Sequence, residues 1–468
     1  MKAWSLLLTL FYIFVFPAQA RAQAQISTIF LPELSASRLF QRDLFTRARL
    51  NPSQVALELG ALVTNTTIYG TDDLLFEKVT ERWNTFAAPN VQRVTHCAQN
   101  SIDFLPVNRS HGYPVSLASF TGIQINMARL TAIELNYKDA DPRLAIAEMA
   151  WFQAGVYTKQ VADYLWERGY IMTTGTCECV GLLGLGLGGG HGRLEGTYGL
   201  VSDNIRQLNV ILADGAAITV NGTSHADLFC AMRGAGHNFG IDTSFEMSIF
   251  PRASEADAWA WNTYIWHPSI SSTEPVLTWS FAYRGSSRDA RDLLAKVGID
   301  DIPSVSHQSG ESPYPGIARV QGFDTQSPVC SSLLRRMTST AGLQVYNITT
   351  EQRIFNSFVE TIASYPDIAT STFIFHEGYA MAAVENGDGY ASAYPFRDDH
   401  HLMLFYAGLP NDWAFEVGDL HDYVNYAIGF EDVSEVYGAG WRIDRLKMLK
   451  ERYDPGNAFR FHNPIIRD

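Results

Sequence analysis

At 468 residues, with 46% hydrophobic and 18% charged side chains, the chain has room for two domains or one large composite, and its composition excludes a disordered protein. A formal charge of −14 argues against a nucleic-acid backbone or an anionic membrane surface as partner. Five cysteines are too few for a disulfide scaffold, and the odd number leaves one thiol over.

Residues 1–20 read as a signal peptide. Lys2 supplies the positive start, residues 5–16 the apolar stretch, and Ala18-Gln19-Ala20 a small-residue cleavage site. The apolar run is shorter than the about 18 residues a membrane span needs, and no later run reaches that length. The expectation is a soluble protein of the secretory pathway, either secreted or held in a vesicle or vacuole, with no membrane contact after cleavage. Passage through that pathway makes Asn65-Thr66-Thr67, Asn221-Gly222-Thr223 and Asn347-Ile348-Thr349 glycan acceptors.

An amphipathic helix is predicted over residues 73–83, and residues 86–253 form a Gly-rich α/β region. Its clearest helix spans 157–168, with Thr158 as N-cap, Val161 and Leu165 four apart, and Gly169 just past the end. Next comes Gly175-Thr176-Cys177-Glu178-Cys179-Val180-Gly181-Leu182-Leu183-Gly184-Leu185-Gly186-Leu187-Gly188-Gly189-Gly190-His191-Gly192. Glycines at this density let a backbone close on a ligand, and successive N–H groups hold anionic oxygens. The run reads as a cradle for a phosphorylated cofactor with a thiol beside it. A C-x-C metal pair lacks a second Cys/His pair at zinc spacing, so no metal is expected.

Strands follow at 209–212 and 217–220 around the turn Ala213-Asp214-Gly215, then a helix at 225–232 closed by Arg233-Gly234-Ala235-Gly236-His237-Asn238-Phe239-Gly240. After Pro251 the composition shifts. Residues 258–265, 317–321, 372–376 and 402–406 are strand-like, and 286–297 and 351–365 helical, which suggests a second α+β domain. A helix at 442–452 ends in Tyr453-Asp454-Pro455-Gly456-Asn457.

These motifs, with Tyr198-Gly199-Leu200-Val201-Ser202-Asp203-Asn204, Tyr423-Val424-Asn425-Tyr426 and Ala458-Phe459-Arg460-Phe461, resemble the berberine-bridge-enzyme-like FAD-linked oxidoreductases, in the flavour of fungal biosynthetic members. The resemblance implies an α+β fold of the two-domain vanillyl-alcohol-oxidase type. The FAD-binding domain would comprise residues 26–253 (its PCMH-type part about 86–253) and the returning segment 415–468. The inserted substrate domain would be 254–414, its sheet covering the isoalloxazine ring.

The same resemblance implies FAD as cofactor, held by two covalent bonds, from His111 to the 8α-methyl and from Cys177 to C6. His111 stands where the family writes one more glycine before the histidine. Nearby backbone N–H groups are expected to lower the pKa of Cys177. The alternatives are a loop histidine, a structural cysteine, or a Cys177–Cys179 pair; Cys179 otherwise packs inward. Cofactor contacts are expected from Gly112, Gly175, Gly181, Gly188, Gly189, Gly190, His191, Gly192, Asn204, Gly236, Asn238, Gly240 and Ile241, with Asn425 against the flavin pyrimidine. His191 and His237 are expected to hydrogen-bond backbone or pyrophosphate rather than do chemistry. Asn108-Arg109-Ser110, though a sequon, is expected to lie against the cofactor.

Tyr426 is the expected base, activated by a neighbour because an unperturbed phenol has a pKa of about 10. His376 and Glu377 are the substrate-domain candidates, of which strand alternation turns only one inward. Two departures stand out: only residues 95–100 remain where a strand and helix are usual, and Trp151-Phe152-Gln153-Ala154-Gly155 replaces a glycine triplet. Three functions fit: a monomeric oxidase passing hydride from a small secondary metabolite to flavin N5 and electrons to O2, a carbohydrate oxidase, or a flavin-binding protein without turnover.

Overall fold

The computed structural model describes residues 7–15, 69, 73–85, 90–93, 103–137, 147–252, 257–331, 335–408, 423–429 and 431–467. The shortened stretch 95–100, the Ala18-Gln19-Ala20 site and the Asn65 sequon lie outside them.

A five-stranded antiparallel sheet runs in the order Ile133–Tyr137, Ala147–Gln153, Ile241–Ser248, Ile205–Ile211, Ala217–Asn221. Its inner face carries Phe152, Leu208, Val210 and Phe245, and the helices Thr158–Glu167 and Ala226–Ala235 bring Val161, Leu165, Leu228 and Met232 onto the same core. Of the residues that replace the glycine triplet, Trp151–Gln153 end a strand, with Phe152 opposite Phe245 and the rings stacked, and Ala154-Gly155 turn out of it. Beside this sheet, Thr121–Asn126 lies between Asn90–Arg93 and Phe104–Val107, parallel to both.

The seven-stranded sheet is antiparallel, in the order Ser306–Ser312, Leu7–Val15, Val276–Arg284, Asp257–Ile265, Thr372–Tyr379, His401–Gly408, Arg336–Leu343. Helices Ser287–Val297 and Ile348–Ser364 cover one face through Leu294, Phe358 and Ile362. Residues from its other face, Trp261, Phe375, Tyr379 and Leu404, share a core with Leu194, Leu200 and Tyr423. The apolar run expected in the leader is here the strand Leu7–Val15, paired on both sides.

The chain returns to the first core through Trp441–Tyr453. Lys450, fully buried, pairs with Asp454 at 2.7 Å and donates to the Asn238 and Phe459 carbonyls.

Several local expectations are corrected. Residues 317–321 are not a strand: Ile317–Val320 is one helical turn, entered through the 3-10 turn Tyr314–Gly316, where Pro315 fixes a helical φ. Thr158 opens its helix without capping it; Tyr157 is the extended N-cap, and Gly169 follows with φ +86°. The helix expected at 73–83 is only Phe76–Thr80, because the chain turns extended at Glu81 and carries Trp83 away. Cys179 neither packs inward as a free thiol nor pairs with Cys177. It is disulfide-bonded to Cys330, whose Cα lies 5.8 Å away, within normal disulfide reach.

Candidate active site

A cavity of about 660 Å³ separates the glycine-rich loops from the open face of the seven-stranded sheet. One wall begins where Phe104–Val107 ends. Asn108 donates from Nδ2 to the carbonyls of Ala154 and Val156, at 3.1 and 3.0 Å, which ties the loop to the five-stranded sheet and commits the sequon asparagine to the backbone. Ser110 at φ +52° then turns His111 into the cavity.

The His111 ring stacks on Trp83 at 3.6 Å, and the Arg336 guanidinium lies against Trp83 at 3.9 Å. Burial, then the Arg336 charge, hold the imidazole pKa down at about 3, so the ring is neutral near pH 7. Its Nε2 is buried with no hydrogen-bond partner. Cys177 lines the same cavity. Its thiol is not activated as expected: burial pushes it up to about 12, with Glu377 adding and Arg193 only partly offsetting.

Tyr426 donates to Glu377 Oε1 at 2.8 Å, and Tyr379 donates to Oε2. Burial raises the Glu377 carboxyl above its ordinary range. No neighbour activates Tyr426 as expected. Burial and the Glu377 charge push its phenol well above the ordinary value, so it keeps its proton and the carboxylate is the stronger base of the pair. His376 does not reach the cavity. One residue along the strand from Glu377, it faces the helix Ile348–Ser364, with Nε2 3.1 Å from Glu351 Oε1.

Of the expected cofactor contacts, Gly112, Gly175, Gly181, Gly240, Ile241, His191, His237 and Asn425 line the cavity. A Cβ on Gly181 would come within 2.6 Å of Asn108 Nδ2, so the loop closes only with glycine there. Asn425 donates to the Leu185 carbonyl and to the Tyr423 hydroxyl, which also accepts from the Gly190 and His191 amides. The other glycines serve packing instead. A Cβ on Gly188 would sit 2.3 Å from Asn425 Oδ1, and one on Gly192 1.8 Å from the Thr174 carbonyl oxygen; Gly189, Gly190 and Gly236 press likewise on Tyr394, Val201 and Leu187.

Asn204 and Asn238 also work within the protein. Asn204 donates to Thr173 Oγ1 and to the Tyr198 and Leu200 carbonyls; Asn238 bonds Tyr437, the Asn463 carbonyl and the Ile465 amide. His191 is held by side chains, Nδ1 3.1 Å from Glu195 and Nε2 2.6 Å from the Tyr394 hydroxyl, rather than by backbone.

Sequence reasoning missed Trp83, Tyr379, Arg82, Asp242 and His462. Only Tyr379 carried a usable signal, because it stands two residues after Glu377 and so shares its face of the strand. The sheet wall of the cavity carries Trp261, Phe323, Phe373, Phe375 and Tyr406, with Thr263, Thr278, Ser280 and Gln321 beside them. The unpartnered His111 nitrogen, the thiol in the same cavity and the glycine-closed loop fit a large phosphorylated ring cofactor.

A family model for an FAD binding domain matches residues 89–221, and one for berberine and berberine-like proteins matches 422–466. The FAD-linked oxidoreductase anuG of Penicillium roqueforti is 38% identical over 90% of this chain and 94% of its own length. Among solved structures, the BBE-like 1 protein of Physcomitrella patens superimposes with a TM-score of 0.72 at 17% identity, covering 90% of this chain and 100% of that one. Glucooligosaccharide oxidase of Acremonium strictum, a protein with a 6-S-cysteinyl, 8α-N1-histidyl FAD, gives 0.69 at 17%, covering 89% and 99%.

Proposed function

The chain belongs to the berberine-bridge-like FAD-linked oxidoreductases, and from that premise we propose an oxidase that acts on an apolar, hydroxyl-bearing small molecule of secondary metabolism, with FAD tethered through His111 and Cys177. When bound, FAD supplies a hydride acceptor at N5 and passes electrons on to O2. The observation that carries the reading is Tyr426, which lines the cavity that also holds His111 and Cys177 and donates to the buried Glu377 behind it. Tyr426 takes the proton of the substrate hydroxyl as its own proton moves to Glu377, so no free phenolate is needed. Trp261, Phe323, Phe373 and Phe375 exclude water and offer flat faces to a ring system.

The Acremonium enzyme's name supplies the competing reading, a carbohydrate oxidase. Aromatic faces stack on sugar rings as well as on apolar ring systems, so the test must separate the two readings. Anaerobic flavin reduction and hydrogen peroxide release, measured on oligosaccharides and on aromatic or polyketide alcohols, decide between them. Reduction by the alcohols alone is expected; reduction by sugars alone overturns the substrate class. The tethers are tested by acid precipitation. Flavin should stay with the wild type and leave the His111→Ala/Cys177→Ala double variant, whereas flavin lost freely from the wild type overturns the linkage.

We also propose secretion, on the strength of Lys2, the apolar run and Ala18-Gln19-Ala20. Cleavage there would remove Leu7–Val15 and leave Val276–Arg284 and Ser306–Ser312 without the strand between them. The N-terminus of the protein recovered outside the cell should be Arg21 or within a few residues of it. A secreted protein that keeps Met1 would make the run a permanent strand instead.

A further inference from the structure

At the cavity end near Gly112, three basic side chains converge without an acid among them. A Cβ on Gly112 would lie 3.6 Å from His462 Nε2. The His462 ring stacks on His237 at 4.1 Å, and Arg82 lines the same cavity. His237 is fixed through Nε2, 2.8 Å from the Gly184 carbonyl oxygen. That leaves its Nδ1 buried with no partner, as are His462 Nδ1 and Arg82 Nη1. Arg82 is 9% exposed, and no salt bridge holds it among the described residues.

Such an arrangement is costly by itself. A buried guanidinium without a carboxylate loses hydration and regains nothing. His237 and His462 pay the same penalty whenever either is charged, and Arg82 opposes protonation of His462. Nothing in the fold requires three bases here, because the neighbouring Gly181–Asn108 closure is made by neutral amides. A dianion between them would satisfy the free nitrogens and reverse the repulsion.

We propose that Arg82, His237 and His462 form an anion seat for the diphosphate of the cofactor. The seat rests on the FAD reading above and adds to it side-chain cations that none of the glycine-rich motifs contains. Arg82 gives a fixed charge and two-pronged donation, and His462 gives an N–H toward the phosphate oxygens; His237, whose Nε2–H is spent on the Gly184 carbonyl, donates from Nδ1 once the dianion draws a proton onto the ring. The loop Asn108–Gly112 and the seat then approach the same group from two sides.

The test compares a ligand with and without phosphate. In the His111→Ala/Cys177→Ala background, where binding is reversible, Arg82→Gln and His462→Gln are each expected to weaken FAD by about 10–100-fold, the range for losing a charge-assisted hydrogen bond. Riboflavin, which has no phosphate, should bind each variant as it binds the background. Arg82→Lys should recover part of the loss. With both tethers present, Arg82→Gln/His462→Gln should carry less acid-stable flavin per chain than the wild type. Equal weakening of FAD and riboflavin would mean that these side chains only hold the fold, and unchanged FAD affinity would mean that they hold nothing; either overturns the seat. A wild type that carries no flavin at all is a different failure, since it removes the cofactor reading and the seat with it.

Discussion

Behind the sheet wall of the cavity, one step along the chain separates Glu377, which accepts from the cavity residue Tyr426, from His376, which faces Glu351 on the covering helix. On the loop wall no such period exists. Gly181 lines the cavity while Gly188, Gly189 and Gly190 are spent against Asn425, Tyr394 and Val201. A strand assigns faces by alternation, so a short sequence window already says which residues share a face. A loop assigns them by its path, and that path is set by contacts from distant parts of the chain, such as Tyr423 bonding the Gly190 and His191 amides.

If the sheet wall carries the chemistry, its variants should give the largest effects. Glu377→Gln keeps the shape and removes the base. Flavin reduction is expected to slow by about 10²–10⁴-fold, the usual worth of general base catalysis. Tyr426→Phe should fall in the same range and, because the two act as one relay, the double variant should be little worse than either. Burial raises Glu377, so it acts as a base only once pH rises through that raised value. Wild-type reduction should therefore climb with pH along a limb displaced above about 4.3, and Glu377→Gln should lose that limb. Stopped-flow reduction across pH checks both; a limb that survives in the variant moves the base elsewhere.

The same contrast explains what could be read ahead of the structure. The longer helices and the strands that the sequence singles out lie within a few residues of their places, as in Ser287–Val297 and His401–Gly408. The strands Phe104–Val107, Thr121–Asn126, Ile133–Tyr137, Ile241–Ser248, Val276–Arg284, Ser306–Ser312 and Arg336–Leu343 were not read from it. Nor was the helical turn Ile317–Val320, because a single turn is too short to show a period. The cavity itself was half legible. His111, Cys177, Glu377 and Tyr426 were all named, but their mutual arrangement was not, and Tyr426 and Glu377 stood as rivals rather than as one hydrogen-bonded pair. The Cys179–Cys330 bond spans 151 positions and leaves no local trace. Arg82 and His462 are meaningful only as neighbours, and they stand 380 positions apart in the chain.

The framework behind the loop wall should respond in stability rather than in rate. Lys450→Met strips Asp454 of its buried partner and removes donors from the Asn238 and Phe459 carbonyls. Breaking such a pair from one side costs about 3–5 kcal/mol. Denaturant midpoints should drop accordingly, with the remaining folded protein still reduced at the wild-type rate. A rate loss as large as that of Glu377→Gln would break the division between the walls.

Asp242, at the start of the strand Ile241–Ser248, is the unpaired counterpart on the same side of the cavity. It lines the cavity, its Oδ1 has no partner, and burial raises it to about 8. A carboxyl raised on folding contributes fully below its unfolded pKa of about 3.9, and that contribution fades as pH rises towards 8. Stability should therefore fall by up to about 1.4 kcal/mol per pH unit across that window from this group alone. Asp242→Asn, neutral throughout, should melt above the wild type at pH 8 and close to it only near pH 4. Parallel melting curves at both pH values would mean that Asp242 is ionised and solvated.

The smallest effect is the one that sharpens the comparison most, because it comes from the residue beside the largest. His376→Gln alters the sheet one position from the base, on the face turned to the helix Ile348–Ser364. Glu351 keeps its hydrogen bond from Tyr264 at 2.6 Å, so its carboxylate is not orphaned. His376 Nε2 lies 3.1 Å from the carboxylate but off the line of a full hydrogen bond, so the loss should not exceed about 1 kcal/mol. It should also be felt mainly above the acid range. His376 helps hold the Glu351 carboxyl below its ordinary value despite burial. A depressed carboxylate adds stability above its unfolded pKa of about 4.3 and loses it as pH falls through the lower folded value. The gap between wild type and His376→Gln should therefore be widest near neutral pH and close on acidification. Flavin reduction should stay within about twofold of wild type, against the 10²–10⁴-fold loss expected one residue away. A rate loss in His376→Gln comparable to that in Glu377→Gln would mean that the covering helix, and not strand alternation alone, sets the chemistry of the cavity.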